Sequence, residues 1–209
     1  MLRIAHRGYN AKDNTKLAFE NALNHFDMIE TDIHKTADNE LILYHDDFIG
    51  GMFVEKINLY QIKIVDPDIM TLDEFFELFP PRRIKIYLDL KGSTDVAYLL
   101  IKYLQEKVVP LENLIIASFN KKHLHIFKFS GLNVKLGFIT YNTFQSVEFG
   151  MLMNSIQYLI VHSSNLNNEL INTVSPYNPD ILVCTCDSEY MYKYMCQFPI
   201  KGIISDIII

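Results

Sequence analysis

Tryptophan is absent from the 209 residues, and cysteine (3), proline (7) and glycine (8) are scarce. So little glycine and proline excludes a collagen-like or low-complexity chain. The cysteines, Cys184, Cys186 and Cys196, all fall late. Their number is odd, and a Cys-x-Cys pair on a strand projects both side chains the same way without bridge geometry. Free buried thiols in a reducing, cytoplasmic setting are the expectation. No run reaches the roughly 18 apolar residues of a membrane span, and Met1–Arg7 turns polar too early for a signal peptide. Positive charge is also short, with 19 Lys and Arg against 25 Asp and Glu. A net charge of −6 and a pI near 5.6 exclude broad electrostatic capture of nucleic acid or anionic membrane. Nor is there a Gly-rich phosphate loop, a zinc ligand set or a nucleophile elbow.

What is present is a core and a rhythm. Hydrophobic residues make up 49% of the chain, enough at this length to bury roughly 70% of the unfolded surface. Strand patterns over Leu2–Ala5, Met28–His34, Ile84–Leu90, Leu114–Ala117, Val134–Thr140, Tyr158–Val161, Ile181–Thr185 and Gly202–Ser205 alternate with helical stripes. The helices are predicted at Asn14–His25, Thr71–Phe79, Asp95–Val108, Lys121–Phe129, Phe144–Asn154, Asn168–Val174 and Glu189–Gln197, the first with Asp13, Asn14 or Thr15 as its cap. A further strand, Leu41–His45, follows the second after only Lys35–Glu40. That is too short for a parallel crossover, so the two form an antiparallel hairpin. Residues 46–70 read as an irregular insertion.

Eight strands separated by seven helices predict a compact α/β (β/α)8 TIM barrel with one added hairpin strand and no eighth helix. A doubly wound open sheet is the alternative. Without a last helix, Ile203, Ile204, Ile207, Ile208 and Ile209 either bury their surface in a homodimer or fold back over the gap.

In such a barrel the active site lies at the C-terminal strand ends. There stand His6-Arg7-Gly8 on strand one and Glu30-Thr31-Asp32-Ile33-His34 on strand two. The hairpin strand ends in His45-Asp46-Asp47 and the next barrel strand in Asp89-Leu90-Lys91. Alternation puts Glu30 and Asp32 on one face, with His34 sharing it, and pairs Asp89 with Lys91. Three carboxylates in one low-dielectric site repel unless a cation offsets them. Oxygen donors suit Mg²⁺ or Ca²⁺ rather than zinc. Histidines titrate near neutrality and serve as acid and base, and the Arg7 fork matches phosphate oxygens. His123, His125 and His162 show no partner pattern.

These residues, with Asp13-Asn14-Thr15, Leu43-Tyr44-His45-Asp46, Thr71-Leu72-Asp73-Glu74, Ser118-Phe119, Thr185-Cys186-Asp187 and Ser205-Asp206, occur in the order typical of the glycerophosphodiester phosphodiesterase family, which the chain resembles over nearly its whole length. The resemblance implies a (β/α)8 barrel that hydrolyses a small glycerophosphodiester to glycerol 3-phosphate and an alcohol. It implies a divalent cation, Mg²⁺ or Ca²⁺, on Glu30, Asp32 and Asp89. It also implies an acid–base pair in His6 and His45, and phosphate binding by Arg7 and Lys91. Attack by the glycerol 2-hydroxyl through a cyclic phosphate is the implied route. Asp89 stands where the family usually has Glu, and Cys184 where a tryptophan is common. Two alternatives stand beside this reading. One is a phospholipase acting on lyso-lipids, with Ile49–Val54 as the weak candidate for membrane contact. The other is a catalytically reduced barrel that binds a phosphodiester or a protein partner.

Overall fold

Eight parallel strands close into a ring. The computed structural model describes residues 1–142, 150 and 156–209. The ring strands are β1 (Leu2–Ala5), β2 (Met28–Lys35), β6 (Lys85–Leu90), β7 (Leu114–Ser118), β8 (Lys135–Thr140), β9 (Tyr158–His162), β10 (Asp180–Cys186) and β11 (Gly202–Ser205). Their order is β1-β11-β10-β9-β8-β7-β6-β2. The Ile4–Met28 and Ala5–Ile29 pairs join β1 to β2 and close the barrel. The short β3 (Leu41–Leu43) lies outside the ring, antiparallel to β2. The open-sheet alternative is thereby excluded.

Helices start where the sequence supplies caps. Thr15 caps α1 (Lys16–Ala22), accepting from the Ala18 N–H, which frees Asn14 for another role. Thr71 and Glu74 form a reciprocal capping box on α3 (Leu72–Leu78). Asn120 caps α5 (Lys121–Lys128), and Asn167 and Ser188 cap the helices at Asn168–Val174 and Glu189–Met195. Uncapped α4 (Asp95–Glu106) is the longest helix among the described residues and buries Val96, Ala97, Leu100 and Leu104. Apart from Gly150, the expected helix at Phe144–Asn154 lies outside the described residues. Among the described residues no helix is long and apolar enough to cross a membrane.

The insertion is more ordered than its sequence suggests. It folds as a hairpin of β4 (Phe48–Ile49) and β5 (Met52–Phe53), then α2 (Leu59–Val65). Asn58 and Gln61 form a capping box on α2, a signal visible in the sequence. A small satellite core of Ile42, Ile49, Val54, Ile57, Ile62 and Ile69 holds this segment down.

The Cys-x-Cys expectation needs correction. The register shifts between Val183 and Cys186, so Cys184 packs against the barrel interior while Cys186 joins the outer core. Cys196 is exposed rather than buried. At the C-terminus Ile203 and Ile204 are strand residues inside the fold, Ile209 packs on the outer core, and Ile208 is exposed.

Candidate active site

The barrel interior is built on one parity. Ile4, Met28, Tyr87, Ile115, Ala117, Ile139, Tyr158, Ile160, Leu182 and Ile204 fill its lower layers. Alternation then carries the same inward face upward to His6 beyond β1, to Glu30, Asp32 and His34 on β2, and to Asp89 and Lys91 at the end of β6. An apolar plug thus supports a polar mouth.

Asp32 and Asp89 are register partners on neighbouring parallel strands, so their side chains stand side by side, with Glu30 one inward step below Asp32. All three are buried, and one oxygen from each lies within 4.8 Å of the others. Burial and the neighbouring Asp32 charge push Glu30 up to about 8. Burial, opposed by Lys91 and reinforced by Asp32, pushes Asp89 up to about 7. Asp32 goes the other way. Burial works against its charge, but Lys91, Arg7 and the Asn14 amide outweigh it and hold its pKa below the ordinary value.

The cations are placed for this. Lys91 Nζ lies 3.1 Å from Asp32 Oδ1 and 2.5 Å from Asp89 Oδ2. Arg7 Nε stands 3.0 Å from Asp32 Oδ2, an ion pair rather than an aligned hydrogen bond. The Arg7 backbone N–H donates to Glu30 Oε2 at 2.9 Å. This aim requires a left-handed Arg7 (φ 57) followed by Gly8 (φ 99). A Cβ on Gly8 would meet the Ala18 backbone at 2.7 Å, so only glycine lets the turn pass α1.

The donor set fits a hard divalent cation. It is all oxygen, it is charged beyond what the two basic side chains relieve, and Asp89 Oδ1 is a buried acceptor with no hydrogen-bond partner.

Each predicted histidine has a carboxylate behind it. His6 Nδ1 lies 2.6 Å from Asp206 Oδ1, and His45 Nδ1 lies 2.7 Å from Asp46 Oδ1. A carboxylate only accepts, so Nδ1 carries the proton in each case and Nε2 is left for chemistry. Burial disfavours a charged His6, but the Asp206 hydrogen bond and the Glu30 charge prevail and raise its pKa. His45 lies beyond the end of β3, not on it: regular pairing stops at Leu43, and the Tyr44 N–H makes a last bond to the Asp32 carbonyl at 3.1 Å.

Sequence reasoning assigned no role at the site to Asp46 or Asp206, and offered Asn14 only as a helix cap. Buried Asn14 donates to Asp32 Oδ2 at 3.0 Å and accepts from Thr31 Oγ1 at 2.8 Å. The parity of Leu2, Ile4 and Ile204 extended past the strand ends would have found His6 and Asp206 together. The same parity gives Phe119 and Tyr141 just after β7 and β8, and His162 at the end of β9. Phe119 stacks on Tyr141 at 5.1 Å, Tyr141 meets His162 at 5.1 Å, and Lys91 Nζ lies 5.5 Å over the Phe119 ring. Cys184 faces this mouth with its thiol pushed up to about 12 by burial and the Glu30 and Asp89 charges, so it stays a neutral wall residue.

Comparison with known proteins places this geometry. A curated glycerophosphodiester phosphodiesterase from Caldanaerobacter subterraneus subsp. tengcongensis is 28% identical, over 98% of this chain and 93% of its own. An uncharacterized Mycoplasma genitalium protein is 29% identical over 76% of this chain and 75% of its own. Among solved structures, an Oleispira antarctica phosphodiesterase, in complex with the product sn-glycerol-3-phosphate, superposes with a TM-score of 0.88 at 20% identity. The match covers 99% of this chain and 93% of that one. A Thermotoga maritima glycerophosphodiester phosphodiesterase gives 0.81 at 21% identity, with 99% and 94% covered. At these identities the structures speak for the barrel alone. The family model for glycerophosphoryl diester phosphodiesterases matches residues 6–209, and the chain belongs to that family.

Proposed function

We propose that this chain hydrolyses small glycerophosphodiesters to glycerol 3-phosphate and an alcohol, with residues 1–209 acting as one catalytic domain. The observation that carries the reading is the convergence at one barrel mouth of Glu30, Asp32 and Asp89 with Lys91, Arg7 and the carboxylate-backed His6. Bound among the three carboxylates, Mg²⁺ or Ca²⁺ would supply charge neutralisation for the phosphate oxygens.

The protein's own groups do the rest. Arg7 and Lys91 hold the phosphate by charge-assisted hydrogen bonds. His6 and His45 act through Nε2, one taking the proton of the glycerol 2-hydroxyl as that oxygen attacks phosphorus. The other protonates the departing alcohol oxygen, and the product of this step is a cyclic phosphate. Water then opens the ring, with the two proton transfers reversed, leaving glycerol 3-phosphate. Carrying the nucleophile within the substrate removes the entropic cost of capturing a second reactant. The Phe119–Tyr141 wall beside Lys91 is the surface we assign to the alcohol half. The free cysteines suit a cytoplasmic setting.

Phosphorus-31 NMR of glycerophosphocholine tests the reaction. The diester resonance should give way to that of glycerol 3-phosphate; appearance of phosphocholine would refute the assigned cleavage.

One observation favours lyso-lipids as a second reading. The β4–β5 hairpin just past His45 exposes Phe48 (58%) and Met52 (37%). Retention on liposomes that is lost in Phe48→Ser would support that reading.

A further inference from the structure

Behind the His45 loop lies a buried polar cluster that the chemistry above does not use. His34 is fully buried, on the inward parity of Glu30 and Asp32. No hydrogen bond joins its ring to Glu30, Asp32 or Asp89. Its Nε2 lies 3.3 Å from the His45 carbonyl oxygen. A carbonyl only accepts, so Nε2 carries the proton and Nδ1 is a bare acceptor without a hydrogen-bond partner.

Nδ1 faces the turn that follows Lys91. It lies 3.2 Å from the position a Cβ would take on Gly92, whose φ is +70. Glu55, delivered by the insertion, reaches the same point and accepts the Ser93 N–H at 2.7 Å. From the other side His123 Nε2 donates to the Ser93 carbonyl at 3.0 Å, and His123 Nδ1 rests 2.9 Å from Ser118 Oγ. The turn behind Lys91 is therefore braced from both flanks, and His34 fills the space between it and the His45 loop. By contrast, the His45 ring is 40% exposed and its partner Asp46 is 69% exposed. The loop is tied to the barrel by the Tyr44 N–H on the Asp32 carbonyl and by His34 Nε2 on the His45 carbonyl.

We propose that His34 is a positioning residue, whose imidazole, wedged between the His45 carbonyl and the Gly92–Ser93 turn held by Glu55, sets the placement of His45 for proton transfer. This rests on the reading that His45 transfers a proton. Misplacement of a reacting group by about 1 Å costs on the order of 100-fold in rate, and the His34 ring itself makes no hydrogen bond to Glu30, Asp32, Asp89, Arg7 or Lys91. The effect therefore belongs in kcat and not in KM.

The test compares two amide replacements. In His34→Gln the amide nitrogen falls near the native Nε2 and still reaches the His45 carbonyl; in His34→Asn it stops short. With glycerophosphocholine as substrate, His34→Asn should lose roughly 10- to 100-fold in kcat with KM within about threefold. His34→Gln should recover most of that loss. Histidine-labelled protein gives a readout independent of turnover: the His45 ring resonances should match wild type in His34→Gln and be shifted or broadened in His34→Asn. Should His34→Asn fail to fold, Glu55→Ala releases the same turn from a half-exposed position and should lower kcat and broaden His45 in the same direction. Folded His34→Asn with wild-type kcat overturns the proposal. So does a loss carried by KM, or equal losses in both amide variants with His45 unmoved. Absence of turnover in the wild type would instead count against the hydrolase reading, and the resonance comparison would still decide the role of His34.

Discussion

Replacing Asp206 by Asn keeps a hydrogen-bond acceptor for His6 Nδ1–H but removes the charge. The contact is short, 2.6 Å, and His6 is mostly buried while Asp206 is 49% exposed. Hydrogen bonds to charged groups are worth about 1.5–3 kcal/mol. Solvent screening on the Asp206 side brings this to about 1 kcal/mol, or roughly a five- to tenfold loss in rate. The sign in pH follows from the same contact. Asp206 stabilises the protonated imidazole against burial, so its loss lowers the His6 pKa. If His6 is the general acid, the alkaline limb of the kcat/KM profile moves to lower pH. If it is the base, the acid limb moves to lower pH. The direction is common to both, and the limb that moves identifies the role. A full pH–rate profile of Asp206→Asn against wild type is the assay. An unchanged profile, or a limb displaced upward, would refute the dyad.

His6→Ala and His45→Ala should each lower turnover at least about 100-fold while stability stays within about 1 kcal/mol, read by rates and thermal melting. Asp89→Glu should keep or tighten divalent-cation affinity by calorimetry; a large loss would mean the shorter ligand is built into this site. The raised carboxylates make the metal-free protein pH-sensitive. Glu30 titrates near 8 when folded against 4.5 as reference, and Asp89 near 7 against 3.8. Protons held by the native state stabilise it fully below the reference values, and that stability is lost as pH rises through 7 and 8. Melting temperature in EDTA should therefore fall across this range, and Mg²⁺ should raise it more near pH 9 than near pH 5. An equal increment at both would contradict the coupling of these carboxylates to a cation.

Most of the barrel was legible because its signals are local. Leu2–Ala5, Gly202–Ser205 and Asn168–Val174 have the expected bounds, set by strand alternation and by the Asn167 cap. The Cys184–Cys186 relation was not legible, since a register shift in β10 is decided by neighbouring strands. The α2 helix was missed because irregular flanks hid a capping box that was readable in its own right. At the site, Glu30, Asp32, Asp89 and Lys91 follow from strand parity. Asp206 and Asn14 depend on ring closure and on which of three adjacent residues caps α1, facts of tertiary structure. The cluster of His34, Glu55 and His123 joins segments far apart in sequence and leaves no local pattern.

The most direct measurement is release of glycerol 3-phosphate from glycerophosphocholine, glycerophosphoethanolamine and glycerophosphoglycerol in Mg²⁺, Ca²⁺ and EDTA, with His6→Ala as blank. Turnover that requires both a divalent cation and His6 is the predicted result. A folded, cation-loaded protein that releases no glycerol 3-phosphate from any of the three, or one equally active in EDTA, would contradict it.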